Sequence, residues 1–402
     1  MSSQGFKRNW PPPAFHVMLK PCGSICNLNC DYCYFLSKKK LYPGSSFRMT
    51  DETLEVFTSQ YIQAQSVPEV TFAWQGGEPT LMGLEFYKKA LEFQNEHSKS
   101  GLRILNTMQT NGTLLDDAWC EFFKENNFLI GISLDGPAEL HNAYRRDVSR
   151  NPSFSKVMTG IELLKKHAVD FNILSTVHAA NQDHPLEVYY FLRDEIETAF
   201  IQFIPIVELN NKSGYQKGNK LTNRSVDSRA FGQFLITVYD EWIKHDVGSV
   251  FIQHFDSALG NWLGSMGGLC VFNPVCGSGL ALEHNGDLYA CDHYVEPKFK
   301  LGNINKRELI DLVAVHKQYQ FGMNKLQLLP KTCLSCEVRF ACHGGCLKNR
   351  IRQTEDAEHG LNYLCEGYKL FFNHINESMK NMVDLIRQNR APTEIMQVFK
   401  SQ

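Results

Sequence analysis

No apolar run in this chain approaches the length that crosses a bilayer, and the opening stretch, Met1 to Pro13, is polar and proline-rich where an apolar signal segment would stand. Membrane insertion and export are therefore not expected, and the cytoplasm is the expected compartment. An excess of charge of either sign is also missing. Lys and Arg number 41 against 43 Asp and Glu, a formal net charge of -2, so no basic field favours nucleic acid as a partner. Hydrophobic content of 43% and charged content of 21% describe an ordinary globular protein. At 402 residues the chain exceeds a usual single core, and two domains are the default. What it has in plenty is cysteine. Thirteen of them are too many for packing alone in a reducing compartment, and metal ligation is the better reading.

From Ala14 to Val207 short apolar strands alternate with amphipathic helices. Strands are expected at Phe15–Lys20, Val70–Trp74, Ile104–Gln109, Phe128–Leu134, Phe171–Val177 and Phe200–Ile204. One helix starts after Thr50, a good N-cap, with Asp51 and Glu52 in its first turn. Leu54, Phe57, Tyr61 and Ile62 share its apolar face. Others run over about Leu115–Asn126, Phe154–His167 and Leu186–Glu195, and a longer one spans Asp227–His245. Alternation of this kind implies a parallel sheet. Six such units make an open, partial (β/α)6 barrel of the TIM type, with its chemistry at the C-terminal ends of the strands. The expected division is a barrel domain over 1–245, a smaller cysteine-rich domain over 246–370 and a helical segment over 371–402. The glycine-rich stretch around Gly264–Gly268 marks the change of character.

The unusual motifs fall at those strand ends. After the first strand comes Cys26-Asn27-Leu28-Asn29-Cys30-Asp31-Tyr32-Cys33, a C-x3-C-x2-C run with an aromatic residue before the last cysteine. Three thiolates on one tight loop can hold three irons of a cubic iron–sulfur cluster and leave the fourth open to a small molecule. A closed zinc site would want four ligands; a zinc knuckle is the competing reading. Cys22 does not fit the spacing and reads as a bystander. After the second strand comes Gln75-Gly76-Gly77-Glu78-Pro79, whose glycines let backbone approach a ligand closely. Gln109-Thr110-Asn111-Gly112 follows the third strand and Ser133-Leu134-Asp135-Gly136-Pro137 the fourth. Ser133 and Asp135 can meet a cofactor ribose or carboxylate, or merely cap the turn. Ile204-Pro205-Ile206-Val207 offers an apolar bed for an adenine, or plain barrel packing. Tyr34-Phe35 can stack near that adenine or pack the loop. Cys120 reads as a buried free cysteine in a helix.

The tail carries Cys270, Cys276, Cys291, Cys333, Cys336, Cys342, Cys346 and Cys365. Asn285-Gly286 is a strong hairpin signal, which places Cys276 and Cys291 about one hairpin. Eight cysteines can saturate two cubic clusters of four ligands each, or hold two zinc ribbons. Asp292 follows Cys291 directly, and a carboxylate beside a cluster ligand can act as a general base if aimed at the barrel mouth. His293 competes for that role, and an exposed hairpin aspartate is the bland reading.

The first cysteine run resembles that of the radical S-adenosylmethionine superfamily. The tail, C-x14-C, then C-x2-C-x5-C-x3-C, then C, resembles the SPASM extension. Together with Trp74-Gln75-Gly76-Gly77-Glu78-Pro79-Thr80 and the Thr110 and Ser133 motifs, the chain resembles the anaerobic sulfatase-maturating enzymes along almost its whole length. The resemblance implies three [4Fe-4S] clusters and S-adenosylmethionine as cofactors. Cys26, Cys30 and Cys33 would hold the first cluster, whose open iron chelates the amino and carboxylate groups of S-adenosylmethionine. Tyr32, Gly76, Gly77, Glu78, Pro79, Ser133 and Ile206 would contact that cofactor. One auxiliary cluster would use Cys270, Cys276, Cys291 and Cys346, the other Cys333, Cys336, Cys342 and Cys365. Asp292 would be the catalytic base, with Gln75 and Thr110 holding the substrate backbone or only capping their loops.

The implied activity is oxidation of a cysteine or serine of a sulfatase to Cα-formylglycine (3-oxoalanine), started by a 5′-deoxyadenosyl radical that takes hydrogen from Cβ. The implied partners are an unfolded or nascent sulfatase polypeptide and flavodoxin or ferredoxin as electron donor, with no nucleic acid and no membrane. Two other readings stay open here. One is a SPASM maturase forming thioether or other crosslinks in a ribosomal peptide; the other is a non-catalytic zinc or iron–sulfur adaptor.

Overall fold

A computed structural model describes residues 10–12, 14–211, 215–265 and 268–400. Most of Met1–Pro13 and the middle of the Gly264–Gly268 stretch lie outside the described residues. Among those described, no helix is long and apolar enough to cross a membrane.

The alternation produces six parallel strands in sequential order: β1 (His16–Lys20), β2 (Glu69–Trp74), β3 (Arg103–Thr110), β4 (Leu129–Ser133), β5 (Phe171–Val177) and β6 (Phe200–Pro205). Each differs from its expected span by no more than a residue at either end. Sequential parallel order is what right-handed strand–helix–strand crossovers give. The result is the α/β partial barrel, whose strand residues Val17, Leu19, Phe72, Trp74, Ile130, Ile132 and Phe203 are fully buried, with Phe72 packed on Phe57 and Tyr61, Trp74 on Phe86 and Tyr87, and Phe203 on Phe234 of the surrounding helices.

The helices start where the capping chemistry puts them. The Thr50 hydroxyl accepts from Thr53 N at 3.2 Å and opens Asp51–Ala64. The Asp227 carboxylate accepts from Arg229 N and Ala230 N and opens Ser228–His245. The stretch expected as one helix to Glu195 is α-helical over Pro185–Tyr190 and then widens into a π-helical turn, Phe191–Glu195.

Three strands from the tail join the same sheet. β8 (Gly279–Glu283) runs parallel to β1 along its whole length, from His16 opposite Gly279 to Lys20 opposite Glu283. It turns at Asn285-Gly286 into β9 (Asp287–Tyr289), which pairs antiparallel with it and with β10 (Lys300–Asn303). Gly286, at φ +84°, makes the turn. A two-residue strand, β7 (Phe251–Ile252), extends the other edge beside β6. The full order is β10-β9-β8-β1-β2-β3-β4-β5-β6-β7. The ends of β8, β1 and β2 are therefore neighbours, although their residues are far apart in sequence.

Candidate active site

The loop after β1 carries Cys26, Cys30 and Cys33, and backbone contacts fix its course. Asn29 N and Asp31 N donate to Arg146 O and Tyr144 O at 2.8 and 2.9 Å, and Cys33 N donates to Cys30 O at 3.1 Å. Two donors face the Cys26 sulfur, Leu28 N at 3.3 Å and Asn111 Nδ2 at 3.7 Å. Burial pushes the Cys30 thiol up to about 12, against the pull of the Arg145 guanidinium. Deprotonating such buried thiols needs a strong cation, and a cluster iron provides one. Beneath the loop, buried Asp135 accepts from Arg145 Nε (2.8 Å) and Nη2 (3.1 Å), from Thr176 N (2.9 Å) and from the Tyr32 hydroxyl (2.5 Å). Asp135 thus supports the loop from below. Tyr32 also turns its hydroxyl inward, where Thr176 Oγ1 donates to it at 2.9 Å.

The two glycines after β2 allow a close approach, but to the cysteine loop itself. Gly77 N donates to Gly23 O at 2.8 Å and Glu78 N to Ile25 O at 2.9 Å. A Cβ on Gly77 would stand 1.9 Å from Ile25 O, and Gly76 takes φ +132°. The Glu78 carboxylate is buried and collects four hydrogen bonds, from Thr80 N, Thr80 Oγ1, Thr110 Oγ1 (2.6 Å) and Asn111 N (2.8 Å). Burial pushes its pKa up and these donors hold it down. Thr110, expected at the substrate backbone, instead commits its hydroxyl to Glu78 and accepts from Gly112 N at 3.1 Å. Its only hydroxyl hydrogen is spent tying β3 to the loop after β2. Pro79, next in the motif, is buried and accepts the Tyr87 hydroxyl at 2.8 Å. Cys22, expected as a bystander, sends its thiol to Glu78 O at 3.2 Å and so belongs to the same loop packing.

Around the rim, Ser133 is half-buried at the end of β4, and its hydroxyl accepts from Gln109 Nε2 at 3.1 Å. Ile206 follows β6, held by Ile206 N to Val177 O at 2.8 Å, with its side chain partly open.

Asp292 lies just past β9, and the adjacency of β8, β1 and β2 brings three distant segments to it. The Lys20 ammonium, at the end of β1, lies 2.5 Å from its carboxylate and donates to Gln75 Oε1 at 3.3 Å. The Tyr34 hydroxyl donates to the other carboxylate oxygen. His293 stacks on the Tyr34 ring, with centroids 5.3 Å apart. Burial alone would push the Asp292 carboxyl up; Lys20 above all, then His293 and Tyr34, bring it down to about 2. Burial pushes His293 down to about 3, so the imidazole is neutral and the carboxylate ionised. Lys20 and Tyr34 were missing from the sequence-based site. Tyr34 was expected to stack near an adenine or to pack the loop; it packs against Phe35 and also donates its hydroxyl to Asp292. The one local signal for Lys20 is a lysine closing an otherwise apolar strand.

The eight tail cysteines line two separate spaces. Cys270, Cys276, Cys291 and Cys346 face a cavity of about 190 Å³ together with Ile204, Pro205, His293 and Tyr294. Cys333, Cys336, Cys342 and Cys365 face a smaller one. The donor sets suit iron–sulfur cubes better than zinc. A tetrahedral zinc with Zn–S bonds of about 2.3 Å holds its sulfurs about 3.8 Å apart. Among the described residues no three cysteine sulfurs all lie within 4.8 Å of one another, and a four-iron cube spreads its ligands more widely. The charge also suits an anionic cluster. Lys325 is buried beside the first quartet, held by Cys270 O at 2.6 Å and Val271 O at 2.9 Å, and it feels the sulfurs of Cys276, Cys346 and Cys270. Lys348, beside Cys346 and Cys291, is a second such cation.

Comparison with known proteins adds the following. The Radical SAM superfamily matches residues 21–192, and the SPASM iron–sulfur cluster-binding domain matches 270–337. The serine-type anaerobic sulfatase-maturating enzyme of Bacteroides thetaiotaomicron is 46% identical over 96% of this chain and 95% of its own. The cysteine-type enzyme of Clostridium perfringens (strain ATCC 13124) is 35% identical over 93% of this chain and 100% of its own. A solved structure of native anSMEcpe with bound AdoMet and a bound peptide is 34% identical, covers 92% of this chain and 99% of its own, and superposes with a TM-score of 0.83.

Proposed function

Since this chain belongs to the anaerobic sulfatase-maturating family of radical S-adenosylmethionine enzymes, we infer that it oxidises a cysteine or serine of a sulfatase polypeptide to Cα-formylglycine. The observation that carries the inference is the convergence at the ends of β8, β1 and β2. An ionised, buried carboxylate stands there between the open three-cysteine loop and a closed four-cysteine cavity.

When bound, the clusters and S-adenosylmethionine would supply radical abstraction of one hydrogen atom from the substrate Cβ at the open three-cysteine loop, and the tail quartets would hold clusters able to take up the second electron. The residues of the chain do the rest. Cys26, Cys30 and Cys33 hold the first cluster, on a loop that Gly76, Gly77 and Glu78 press into place. The backbone and rim around Tyr32, Pro79, Ser133 and Ile206 hold the cofactor. The two tail quartets hold the auxiliary clusters, each with no ligand position left for substrate. Asp292 takes the proton of the substrate thiol or hydroxyl, and Lys20 and Tyr34 keep it ionised and oriented. Gln75, one hydrogen bond from that ion pair, is placed to meet the substrate backbone. A cysteine substrate then passes through a thioaldehyde, which water converts to the aldehyde with loss of hydrogen sulfide. A serine gives the aldehyde directly. An electron donor of the flavodoxin or ferredoxin class supplies the reducing electron, and a reducing cytoplasm suits a chain none of whose thirteen cysteines is paired in a disulfide.

The test is mass spectrometry of peptides bearing Cys-x-Pro-x-Arg or Ser-x-Pro-x-Arg, incubated anaerobically with the reconstituted protein, reductant and S-adenosylmethionine. The expected loss is about 18 mass units from the cysteine peptide and about 2 from the serine peptide. Cofactor cleavage with both peptides unchanged in mass would reject a formylglycine-forming role.

A further inference from the structure

The two tail cavities are joined by one short segment. Cys342 lines one cavity, Cys346 lines the other, and only His343, Gly344 and Gly345 stand between them. All three take positive φ, at +47°, +72° and +62°. Glycine tolerates that conformation and histidine resists it, so something must hold the turn.

Two side chains do. Arg350 donates Nε to Gly344 O and Nη2 to His343 O, both at 3.0 Å. Asn362 Nδ2 donates to Gly344 O at 3.1 Å and to Cys346 O at 3.3 Å. The fit leaves little room for a side chain on either glycine of the turn. A Cβ on Gly344 would lie 2.7 Å from Arg350 Nη2, and one on Gly345 would lie 2.4 Å from Asn362 Nδ2.

Arg350 has a third edge. Its Nη1 is buried with no hydrogen-bond partner among the described residues. Leaving a charged donor buried and unmade costs more than the usual penalty for an unmet hydrogen bond. Burial pulls the Arg350 guanidinium down, and the cysteines that act against that pull come from both quartets: Cys333 and Cys342 of one, Cys276 and Cys346 of the other. Lys325 and Lys348 differ in this respect, since the sulfurs that act on them belong to the first quartet alone.

We propose that Arg350 is a tuning group shared by the two auxiliary clusters: it clamps the turn that links them, and its free Nη1–H serves cluster sulfur, so one positive charge raises both reduction potentials together. The inference rests on the two-quartet ligand assignment above. A cluster gains negative charge on reduction, so a fixed cation and a hydrogen bond to its sulfurs favour the reduced form. One charge shared by both clusters moves the two potentials in the same direction.

The test compares the reconstituted full chain with R350Q and R350K, using iron and sulfide counts and a potentiometric titration followed by electron paramagnetic resonance. R350Q, at wild-type iron content, is expected to shift both auxiliary signals to more negative potential, by about tenfold or more in each reduction equilibrium. R350K, which keeps the charge but loses the fork, is expected to fall between. Potentials that stay put, or a shift in one cluster alone, overturn the proposal. Wild-type protein whose iron suffices for the first cluster only would instead overturn the ligand assignment. Should R350Q lose its iron, wild-type protein carrying guanidino-nitrogen-15 arginine decides the matter. Hyperfine coupling of that nitrogen to a reduced auxiliary cluster is expected, and its absence overturns the proposal.

Discussion

Asp292 meets a lysine ammonium and a tyrosine hydroxyl at the same carboxylate, and those partners define what its loss does. Asn keeps the shape and removes the proton acceptor. D292N is therefore expected to lower formylglycine yield about 100-fold or more while 5′-deoxyadenosine still forms, both measured in one anaerobic assay. Equal yields at saturating peptide would remove Asp292 from the proton transfer. Gly77 makes the opposite kind of case, since its role is to have no side chain. The Cβ of G77A would stand 1.9 Å from Ile25 O, and backbone on both sides has no spare room. The expected result is loss of iron from the first site with the auxiliary iron retained, read by iron count and by the resonance signal that S-adenosylmethionine perturbs. Full loading of G77A would mean that the loop tolerates displacement. Asp292 was legible in the sequence because it touches a cysteine of a recognisable pattern. Lys20 and Tyr34 were not, because their partner lies more than two hundred residues away and only the pairing of β8 with β1 makes them neighbours.

Among elements, the ends of β2 and β3 are tied by Glu78, and Thr110 is half of that tie. Its hydroxyl donates to Glu78 Oε1 at 2.6 Å and accepts from Gly112 N at 3.1 Å. T110V leaves a buried carboxylate one donor short and a backbone N–H unmet, at a cost of about 1–3 kcal/mol. The brace predicts a lower melting temperature with an unchanged KM for peptide, and recovery in T110S. A substrate contact predicts the reverse: a raised KM at little cost in stability. The first six strands could be read from their short apolar runs between turn residues, the helix at Asp51 from Thr50, and the helix at Ser228 from the apolar face of Phe231, Phe234, Leu235, Tyr239 and Trp242. The helix Leu84–His97 was missed. It has Gly83 where a capping side chain would announce it, and it carries charges along much of its length. The Asn285-Gly286 turn fixed the hairpin, but nothing local says which edge of which sheet a hairpin joins. That choice is made by β1, whose free edge is otherwise an exposed row of backbone donors and acceptors.

At the scale of the whole molecule, two of the contacts that attach the tail to the barrel are β8 against β1 and the helix Cys365–His374 against Ser228–His245. The second contact is made backbone to backbone. A Cβ on Gly232 would lie 2.5 Å from Gly367 O, and one on Gly367 would lie 1.9 Å from Ser228 O. Ser228 Oγ also accepts from Gly367 N at 3.2 Å. Cys365 is the first residue of that helix, so the seating of one helix on another also fixes the last ligand of the second quartet. The other three ligands, Cys333, Cys336 and Cys342, sit on a separate short segment, which meets that helix where Glu337 pairs with Lys369 and accepts from Asn373 Nδ2. In G367A the helix must lift off its partner, an overpacking cost of about 1–3 kcal/mol, and Cys365 moves with it. Iron is then expected to leave the Cys333, Cys336, Cys342 and Cys365 quartet first when the holoprotein is titrated with chelator. The Cys270, Cys276, Cys291 and Cys346 quartet, whose Cys276 and Cys291 flank the β8–β9 hairpin, should hold at wild-type chelator concentrations. If both quartets emptied together, the tail would be responding as one cooperative unit and the helix seat would not be what positions Cys365.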